Sequence, residues 1–399
     1  MNGKKFTINI IANSILRSDI LSGGDRIFIE CGKRWAKSGN TINIFTCEEG
    51  TDMCKRYGLH YLENINFFVW SSSRFNKFGL IPLYILRTIN ACISIMKMPQ
   101  KSENVIIFSS SDFWPDSIPG FFMCRKIKGS KWVAAFYLFA PSPFSKESPY
   151  RGGKFLRGLL YRLSQIPIYW LVKKYADMVW VTSELYKSKF INGKKLASNK
   201  VVVIRWGVDI KTPLLIPELI EKKFDAVFIG RFHPQKGVLE LIDIWKYVCD
   251  RIPNAKLAMI GTGELESDVR EKIRKLGLEK NIAMLGFKDG IEKLKIFKES
   301  KIVIHPAIYD TGAIAPMEAM ACGLPGIFFD LPALKTYYPK GVIRIPCYNL
   351  KKFAKTIVDL LTDTRLYCTL REEAINLTKE LDWDVKAEEL LNVVRGILR

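Results

Sequence analysis

Short apolar runs alternate with stretches of helical periodicity along the whole chain, and this alternation limits the possible folds more than any other feature of the sequence. In the N-terminal half, strands are predicted at 6–12, 41–46, 105–109, 132–139, 178–182 and 201–204. In the C-terminal half, they are predicted at 226–229, 256–260, 282–285, 302–305, 326–329 and 342–345. Successive strands pair in parallel when each of them leads into a helix. The sequence therefore predicts an α/β protein with doubly wound parallel sheets.

The length of the chain indicates two domains, because 399 residues exceed what one hydrophobic core usually supports. A segment at 211–217, with prolines at positions 213 and 217, is typical of a linker. We therefore predict an N-terminal domain at 1–212 and a C-terminal domain at 218–382.

The positive charge of the chain is concentrated in its first half. The formal net charge is +21; residues 1–210 carry 31 basic and 14 acidic side chains, and residues 211–399 carry 30 and 26. Residues 151–200 alone hold 11 basic and 2 acidic side chains, interleaved with leucines and aromatic residues. This composition favours contact with an anionic membrane surface, although a solvated helix face beside core aromatics would give the same pattern. A nucleic-acid partner is not expected, since no known nucleic-acid-binding motif is present.

Targeting and metal-binding signals are weak. Residues 1–13 resemble a short basic lead and a first strand, not a signal peptide. The longest apolar stretch, 79–96, is interrupted by Arg87 and Asn90 and predicts a buried or interfacial helix rather than a transmembrane one. The nine cysteines form no C-x-x-C pairs, and the three histidines are scattered, so we expect reduced thiols, no metal site and a cytoplasmic location.

Two segments of the second half carry residues suited to a charged ligand. GRFHPQKG, residues 230–237, follows the strand-like run FDAVFI and places Arg231 and Lys236 at the carboxyl edge of a parallel sheet. HPAIYDTGAIAPMEAMACGLP, residues 305–325, places Asp310 and Glu318 eight positions apart across a glycine-bearing turn into a helix. Cations and free N–H groups at a helix start stabilise a diphosphate, whose charge grows as a glycosidic bond breaks. A buried Glu318 would need a partner, which two vicinal hydroxyls could supply.

These two segments resemble the retaining glycosyltransferases of family 4 (glycosyl transferases group 1), whose donor domain carries G-R-x-x-x-x-K-G and E-x7-E signatures. The resemblance implies the GT-B fold, with two Rossmann-like domains facing a central cleft and a final helix, 384–399, that packs back on the first domain. It also implies that Arg231 and Lys236 contact the donor phosphates, that Asp310 contacts the donor sugar, and that Glu318 binds the ribose hydroxyls.

Further contacts are implied by the resemblance alone. Backbone groups of Gly312, Ala313 and Ile314 would meet the phosphates, and Phe287 would lie at the nucleobase. Glycines would allow close approach of the backbone to substrate at positions matching family glycines: Gly23, Gly24, Gly230, Gly261 and Gly263.

The chain departs from the family pattern at three places. Asp310 stands where the family usually has Glu, and is one methylene shorter. The run D-T-G-A replaces the common E-G-F-G. The predicted strand at 132–139 is followed by Ala140-Pro141-Ser142-Pro143, without the histidine that many relatives place near the acceptor.

The resemblance thus predicts a retaining, metal-independent hexosyltransferase of polysaccharide biosynthesis that needs no cofactor beyond its UDP-, GDP- or ADP-sugar donor. Its acceptor would be a hydroxyl of a lipid-linked or cell-surface glycan, reached from the inner face of the cell membrane. Neither carboxylate is expected to act as a glycosidase acid or nucleophile, and no general base is assigned. Two alternatives stay open: a catalytically silent sugar-nucleotide-binding protein, and a transferase acting on a soluble small molecule.

Overall fold

A computed structural model describes residues 5–19, 21–71, 79–98, 104–145, 148, 150, 152–192, 197–310 and 312–398. The chain divides into two compact units. The first contains Met1–Ser142, Lys154–Ile204 and Trp383–Arg399, and the second contains Pro143–Gly153 and Arg205–Asp382. The division thus falls a few residues before the predicted linker, and a short segment from the first half, 143–153, belongs to the second unit.

The first unit is built on a parallel sheet with helices between successive strands. Its elements are β1 Thr7–Ala12, α1 Gly23–Lys37, β2 Thr41–Thr46, α2 Glu48–Arg56, β3 Ile65–Val69, α3 Leu80–Met96, β4 Val105–Ser109, α4 Trp114–Lys126, β5 Lys131–Ala135, α5 Phe155–Tyr175, β6 Met178–Val181, α6 Glu184–Ile191 and β7 Val201–Val203. In the described residues the strand order is β3-β2-β1-β4-β5-β6-β7, with every pairing parallel.

Helix α1 shows why these elements form where the sequence predicts them. Ser22 caps the helix by accepting a hydrogen bond from the Asp25 N–H, and the Asp25 carboxylate accepts one from the Ser22 N–H. Ile27, Cys31 and Trp35 form its buried face. The helix ends just before Gly39, where φ is +82°.

One strand of the structure is not predicted, and one predicted strand ends several residues earlier than expected. Strand β3 is not predicted by the sequence, because it is an edge strand with half-exposed side chains and therefore lacks a continuous buried run. Strand β5 ends at Ala135 rather than at 139; the next residues leave the sheet, and Phe136 and Phe139 pack together with ring centroids 4.6 Å apart.

The second unit repeats the doubly wound pattern on a second parallel sheet. Its elements are β8 Phe224–Ile229, α7 Val238–Cys249, β9 Leu257–Ile260, α8 Glu266–Lys275, β10 Ile282–Met284, α9 Gly290–Lys298, β11 Ser300–His305, α10 Ile314–Ala321, β12 Gly326–Phe329, β13 Val342–Ile345, α11 Leu350–Thr362 and α12 Thr364–Lys379. The strand order is β10-β9-β8-β11-β12-β13, so successive strands are added on one side of β8 up to β10 and on its other side from β11 onward. The predicted fold class, two doubly wound Rossmann-like units, is confirmed.

The last helix, α13 (Trp383–Gly396), lies in the first unit. The Trp35 Nε1–H donates to the Ala387 carbonyl over 2.8 Å, and Arg34 Nε lies 2.6 Å from Asp384 Oδ1. The chain therefore returns to the unit in which it started.

Among the described helices, none combines the length and the apolar character needed to cross a membrane. The nine cysteines are all free thiols.

Candidate functional site

Two loops meet at the point where the second sheet reverses its strand order. One follows β8 and runs from Gly230 to Gly237; the other follows β11 and leads into α10. A Cβ on Gly237, whose φ is +62°, would lie 1.9 Å from the Pro306 carbonyl oxygen. The Ile308 N–H also donates to the Gln235 carbonyl over 3.0 Å. Glycine at 237 is therefore required for the two loops to touch, and this is the crevice where doubly wound sheets bind ligands.

Lys236 and Asp310 join the two loops through an ion pair. Lys236 Nζ lies 2.5 Å from Asp310 Oδ2, and His305 Nε2, at the end of β11, lies 2.9 Å from the same oxygen. The Asp310 side chain is only 11% exposed. One largely buried carboxylate thus contacts both a cation and an imidazole.

The protonation states at this site follow from burial and charge. Burial alone would raise the pKa of Asp310, but Lys236 and His305 together hold that pKa well below its usual range. Burial lowers the pKa of His305, and this outweighs the opposing effect of Asp310. A neutral imidazole facing an ionised carboxylate must donate from Nε2. Its Nδ1 is then a buried acceptor with no hydrogen-bond partner among the described residues.

Glu318 is buried on α10, and a lysine of the preceding helix pairs with it. Lys293 Nζ, on α9, lies 2.9 Å from Glu318 Oε2 and 2.8 Å from Asp289 Oδ1. Lys293 is itself buried. Lys293 was not among the residues predicted from the sequence, where its i,i+4 spacing from Asp289 was the available signal. The Glu318 carboxylate is therefore charge-compensated within the unit before any ligand binds.

The start of α10 packs against the aromatic rings of Trp206 and Tyr337. A Cβ on Gly312 would lie 2.1 Å from the Trp206 ring, which stacks on Tyr337 with centroids 5.0 Å apart. Ala313 caps the helix in the left-handed region, at φ +50°, and its carbonyl accepts a hydrogen bond from the Tyr338 hydroxyl. The first N–H groups of α10, from Ile314 onward, have no acceptor inside the helix. Gly312, Ala313 and Ile314 thus form the start of α10, close in sequence to Asp310.

Arg231 lies on the loop after β8 and is exposed. Gly261 and Gly263 support this loop: a Cβ would lie 1.9 Å from the Gly230 carbonyl oxygen at the first and 2.5 Å from the Phe232 carbonyl oxygen at the second. The Phe232 N–H donates to the Thr262 carbonyl over 2.9 Å. The two glycines therefore hold the loop that carries Arg231, which is a structural role.

The other predicted residues lie farther from this cluster or in the first unit. Phe287 is 47% exposed and follows Gly286, where φ is +69°. Gly23 and Gly24 open α1 in the first unit, and a Cβ on Gly24 would lie 3.2 Å from the Tyr137 ring. The structure thus brings Lys236, Asp310 and the start of α10 together in the second unit.

The first unit has a buried polar cluster of its own at the reversal point between β1 and β4. Asp116 accepts hydrogen bonds from the backbone N–H groups of Asn13 (2.6 Å) and Ser14 (2.9 Å), and burial raises its pKa to about 6. Asp112 accepts one from Gln165 Nε2 over 2.7 Å, and burial raises its pKa to about 6 as well. These carboxylates anchor loops, and the sequence analysis did not single them out. Within the described residues no three His, Cys, Asp or Glu side chains are grouped to hold a metal ion.

Parts of the chain are similar in sequence to known glycosyltransferases. Residues 216–377 match the model of the family described as Glycosyl transferases group 1. An uncharacterized glycosyltransferase of Methanocaldococcus jannaschii is 31% identical over 180 residues, 43% of this chain and 44% of that protein. The UDP-Gal:alpha-D-GlcNAc-diphosphoundecaprenol alpha-1,3-galactosyltransferase of Escherichia coli is 30% identical over 145 residues, 33% of this chain and 37% of that protein. The chain spans less than half the length of these curated relatives.

A solved structure extends the likeness of fold to the whole chain. The crystal structure of a glycosyltransferase from Rickettsia africae superposes with a TM-score of 0.69 over 100% of both chains, at 17% sequence identity. The similarity shows the GT-B arrangement of two Rossmann-like units as a fold.

Proposed function

We propose that this chain is a retaining, metal-independent glycosyltransferase of the family 4 type that moves a hexosyl group from a nucleotide-diphosphate sugar to an acceptor hydroxyl. The Lys236–Asp310 ion pair carries the proposal, because it joins the two family-like loops at the crevice of the second sheet. Both residues lie within 216–377, the segment that matches the group 1 family model.

The donor diphosphate is assigned to the cationic side of this crevice. Arg231 is exposed and Lys236 is 19% exposed, so a dianionic ligand can reach both. The start of α10 adds N–H groups and the positive end of its dipole. Because negative charge grows on the departing diphosphate, these groups stabilise the transition state more than the ground state.

The donor's hydroxyls are assigned to the two carboxylates. Asp310 is ionised and can accept hydrogen bonds from the sugar, and Glu318 can accept them from the ribose. Lys293 Nζ lies 2.9 Å from Glu318 Oε2, so a cation faces the buried acid that is assigned to the ribose. Neither residue is given a hydrolytic role, and no separate general base is assigned; a phosphate oxygen of the donor takes the acceptor's proton.

The acceptor is proposed to be a lipid-linked or cell-surface glycan at the inner face of the cell membrane. The charge of the first half and the acceptor named for the E. coli relative support this choice. A soluble small-molecule acceptor is the alternative, and a catalytically silent sugar-nucleotide-binding protein is the second.

Incubating the purified chain with labelled UDP-, GDP- and ADP-sugars tests the proposal. We expect release of one nucleoside diphosphate and, with a glycan acceptor, an α-linked product from an α-linked donor by NMR. Lys236→Ala should abolish most of this activity, whereas Lys355→Ala, an exposed lysine on α11, should not. Donor binding without turnover on any acceptor would instead support the silent binding protein, and inversion at the anomeric carbon would contradict the retaining mechanism.

A further inference from the structure

Helix α3 buries its charged residue beside Leu83, Ala91 and Ile95 and carries a further apolar stripe that is exposed. Its sole charged residue, Arg87, is 1% exposed. Arg87 donates to the Ile15 carbonyl over 2.5 Å and pairs with Glu49 over 2.7 Å. A surface helix normally buries its apolar stripe and exposes its charges. The further stripe of α3 is instead exposed, at Leu80, Ile81, Ile85, Ile89, Ile93 and Met96.

A second apolar stripe lies on α5, in the same unit. Its exposed side chains are Leu156, Leu160, Leu163, Ile166 and Trp170. Aromatic contacts connect the two helices: Tyr84 of α3 lies 5.7 Å from Phe113 between ring centroids, and Phe113 lies 6.4 Å from Tyr161 of α5. We call the exposed side chains of α3, α4 and α5, together with Lys97 and Lys128 just after α3 and α4, the α3–α5 face. A large apolar patch on a soluble protein marks a surface that contacts something else.

The charges on the α3–α5 face are of one sign. Between positions 79 and 175 the described acidic side chains are Asp112 and Asp116, and both are buried. The exposed charged side chains described in this range are cations: Lys97, Arg125, Lys128, Arg157, Arg162 and Lys174. Lys173 does not belong to this set, because it is buried and donates to the Tyr169 hydroxyl over 3.1 Å. Arg151, which the basic run also contains, lies outside the described residues.

We propose that the α3–α5 face docks on an anionic lipid bilayer, with the isoleucine stripe of α3 inserted among the acyl chains and the cations at the headgroups. Apolar side chains flanked by lysine and arginine are the combination that lies in a membrane interface. Trp170, with its exposed indole, suits the same depth. A second copy of this chain is a poor occupant, since it would bring the same cations against these. The docking does not depend on the sugar transfer proposed above.

Vesicle co-sedimentation of the full chain, without donor, tests the proposal. Vesicles with about 30% phosphatidylglycerol should bind the protein and pure phosphatidylcholine vesicles should bind it weakly, since each cation near an anionic surface contributes roughly a fivefold factor. Arg157→Gln/Arg162→Gln/Lys174→Gln should lower binding by about 100-fold on the same basis. Raising the salt from about 50 to about 500 mM should weaken binding further.

The apolar part of the face has a matched control. Ile85→Glu/Ile89→Glu should lower the partition coefficient at least about 10-fold, because two isoleucines no longer enter the bilayer. Leu215→Glu/Ile220→Glu adds the same two charges at exposed apolar positions of the second unit and should change binding less than about twofold. Unchanged thermal unfolding and donor binding in each variant would show that the fold is intact.

Three results would overturn the proposal. The absence of wild-type binding to anionic vesicles at low salt would contradict the proposal. An equal loss of binding in the Leu215→Glu/Ile220→Glu control would show that the α3–α5 face has no special role. A dimer in sedimentation velocity that Ile85→Glu/Ile89→Glu dissociates, without vesicle binding, would assign the face to a second copy of the chain.

Discussion

His305 donates a hydrogen bond from Nε2 to Oδ2 of Asp310 over 2.9 Å, and Lys236 Nζ contacts the same oxygen. The last residue of β11, the loop that follows it and the loop after β8 are therefore joined through one carboxylate. In the ligand-free protein the charge of Lys236 is balanced by Asp310. Under the proposed function, a donor phosphate would share Lys236 with Asp310.

Lys236→Ala should lower turnover by about 100-fold or more, the scale of losing one preorganised electrostatic group, and Arg231→Ala should do the same. Steady-state kinetics with saturating donor measures the effect. Lys355→Ala is the control, since Lys355 is 70% exposed and its ion pair among the described residues is with Asp359 on its own helix. Near-normal turnover in a folded Lys236→Ala protein would remove Lys236 from the proposed site.

Asp310→Ala should be severely impaired, whereas Asp310→Glu should keep activity or change the preferred sugar, because the longer side chain restores the acid usual in the family. Initial rates over a panel of nucleotide sugars distinguish these outcomes. Asp359→Ala, which removes an exposed carboxylate of α11, serves as the control. Full activity of Asp310→Ala would mean that this carboxylate has no part in transfer.

His305→Phe should lower kcat/KM by roughly 10-fold or more, since a hydrogen bond to a charged group is worth about 1.5 to 3 kcal/mol and the ring can no longer position Asp310. His305→Gln should recover part of the loss, because its amide nitrogen can donate near the position of Nε2. Equal activities of the Phe and Gln variants would show that His305 only fills space.

Glu318→Ala should weaken donor binding by roughly 10- to 150-fold, and it should also destabilise the fold, because Lys293 loses a buried partner. The double variant Glu318→Ala/Lys293→Met should regain stability without regaining donor affinity. Calorimetric titration with nucleotide and urea unfolding measure the two quantities separately. Recovery of affinity in the double variant would contradict a direct contact between Glu318 and the donor.

The buried carboxyl of Asp112 should make stability depend on pH. Its pKa is raised from 3.8 to about 6 by burial, so between these values the folded state holds a proton that the unfolded state lacks. The contribution of this group to stability is thus greatest below about pH 4 and is lost as the pH rises through about 6. Asp112→Asn should therefore gain stability relative to wild type on going from about pH 4.5 to 7.5. Urea midpoints that differ by a constant amount across this range would contradict the assignment.

The α/β fold class and the local elements that carry the site could be predicted from the pattern of residues along the chain. Strands such as β2, β4 and β12 lie at the predicted positions, because buried parallel strands appear as short apolar runs whatever surrounds them. The spacing from Asp310 to Glu318 likewise fixed their placement on a loop and the helix that follows it.

Which charged side chains pair and which helix faces stay exposed could not be predicted from that pattern and depends on the folded arrangement. Lys293 pairs with Glu318 across 25 positions, and Lys236 pairs with Asp310 across 74. Arg87 interrupts an apolar stretch and could have pointed to water, yet it turns inward to Glu49 and leaves most isoleucines of α3 outside. Periodicity reports how one segment repeats along its own axis. It does not report which distant segment lies beside it. That neighbouring segment sets the burial, the charge compensation and the pKa of each side chain.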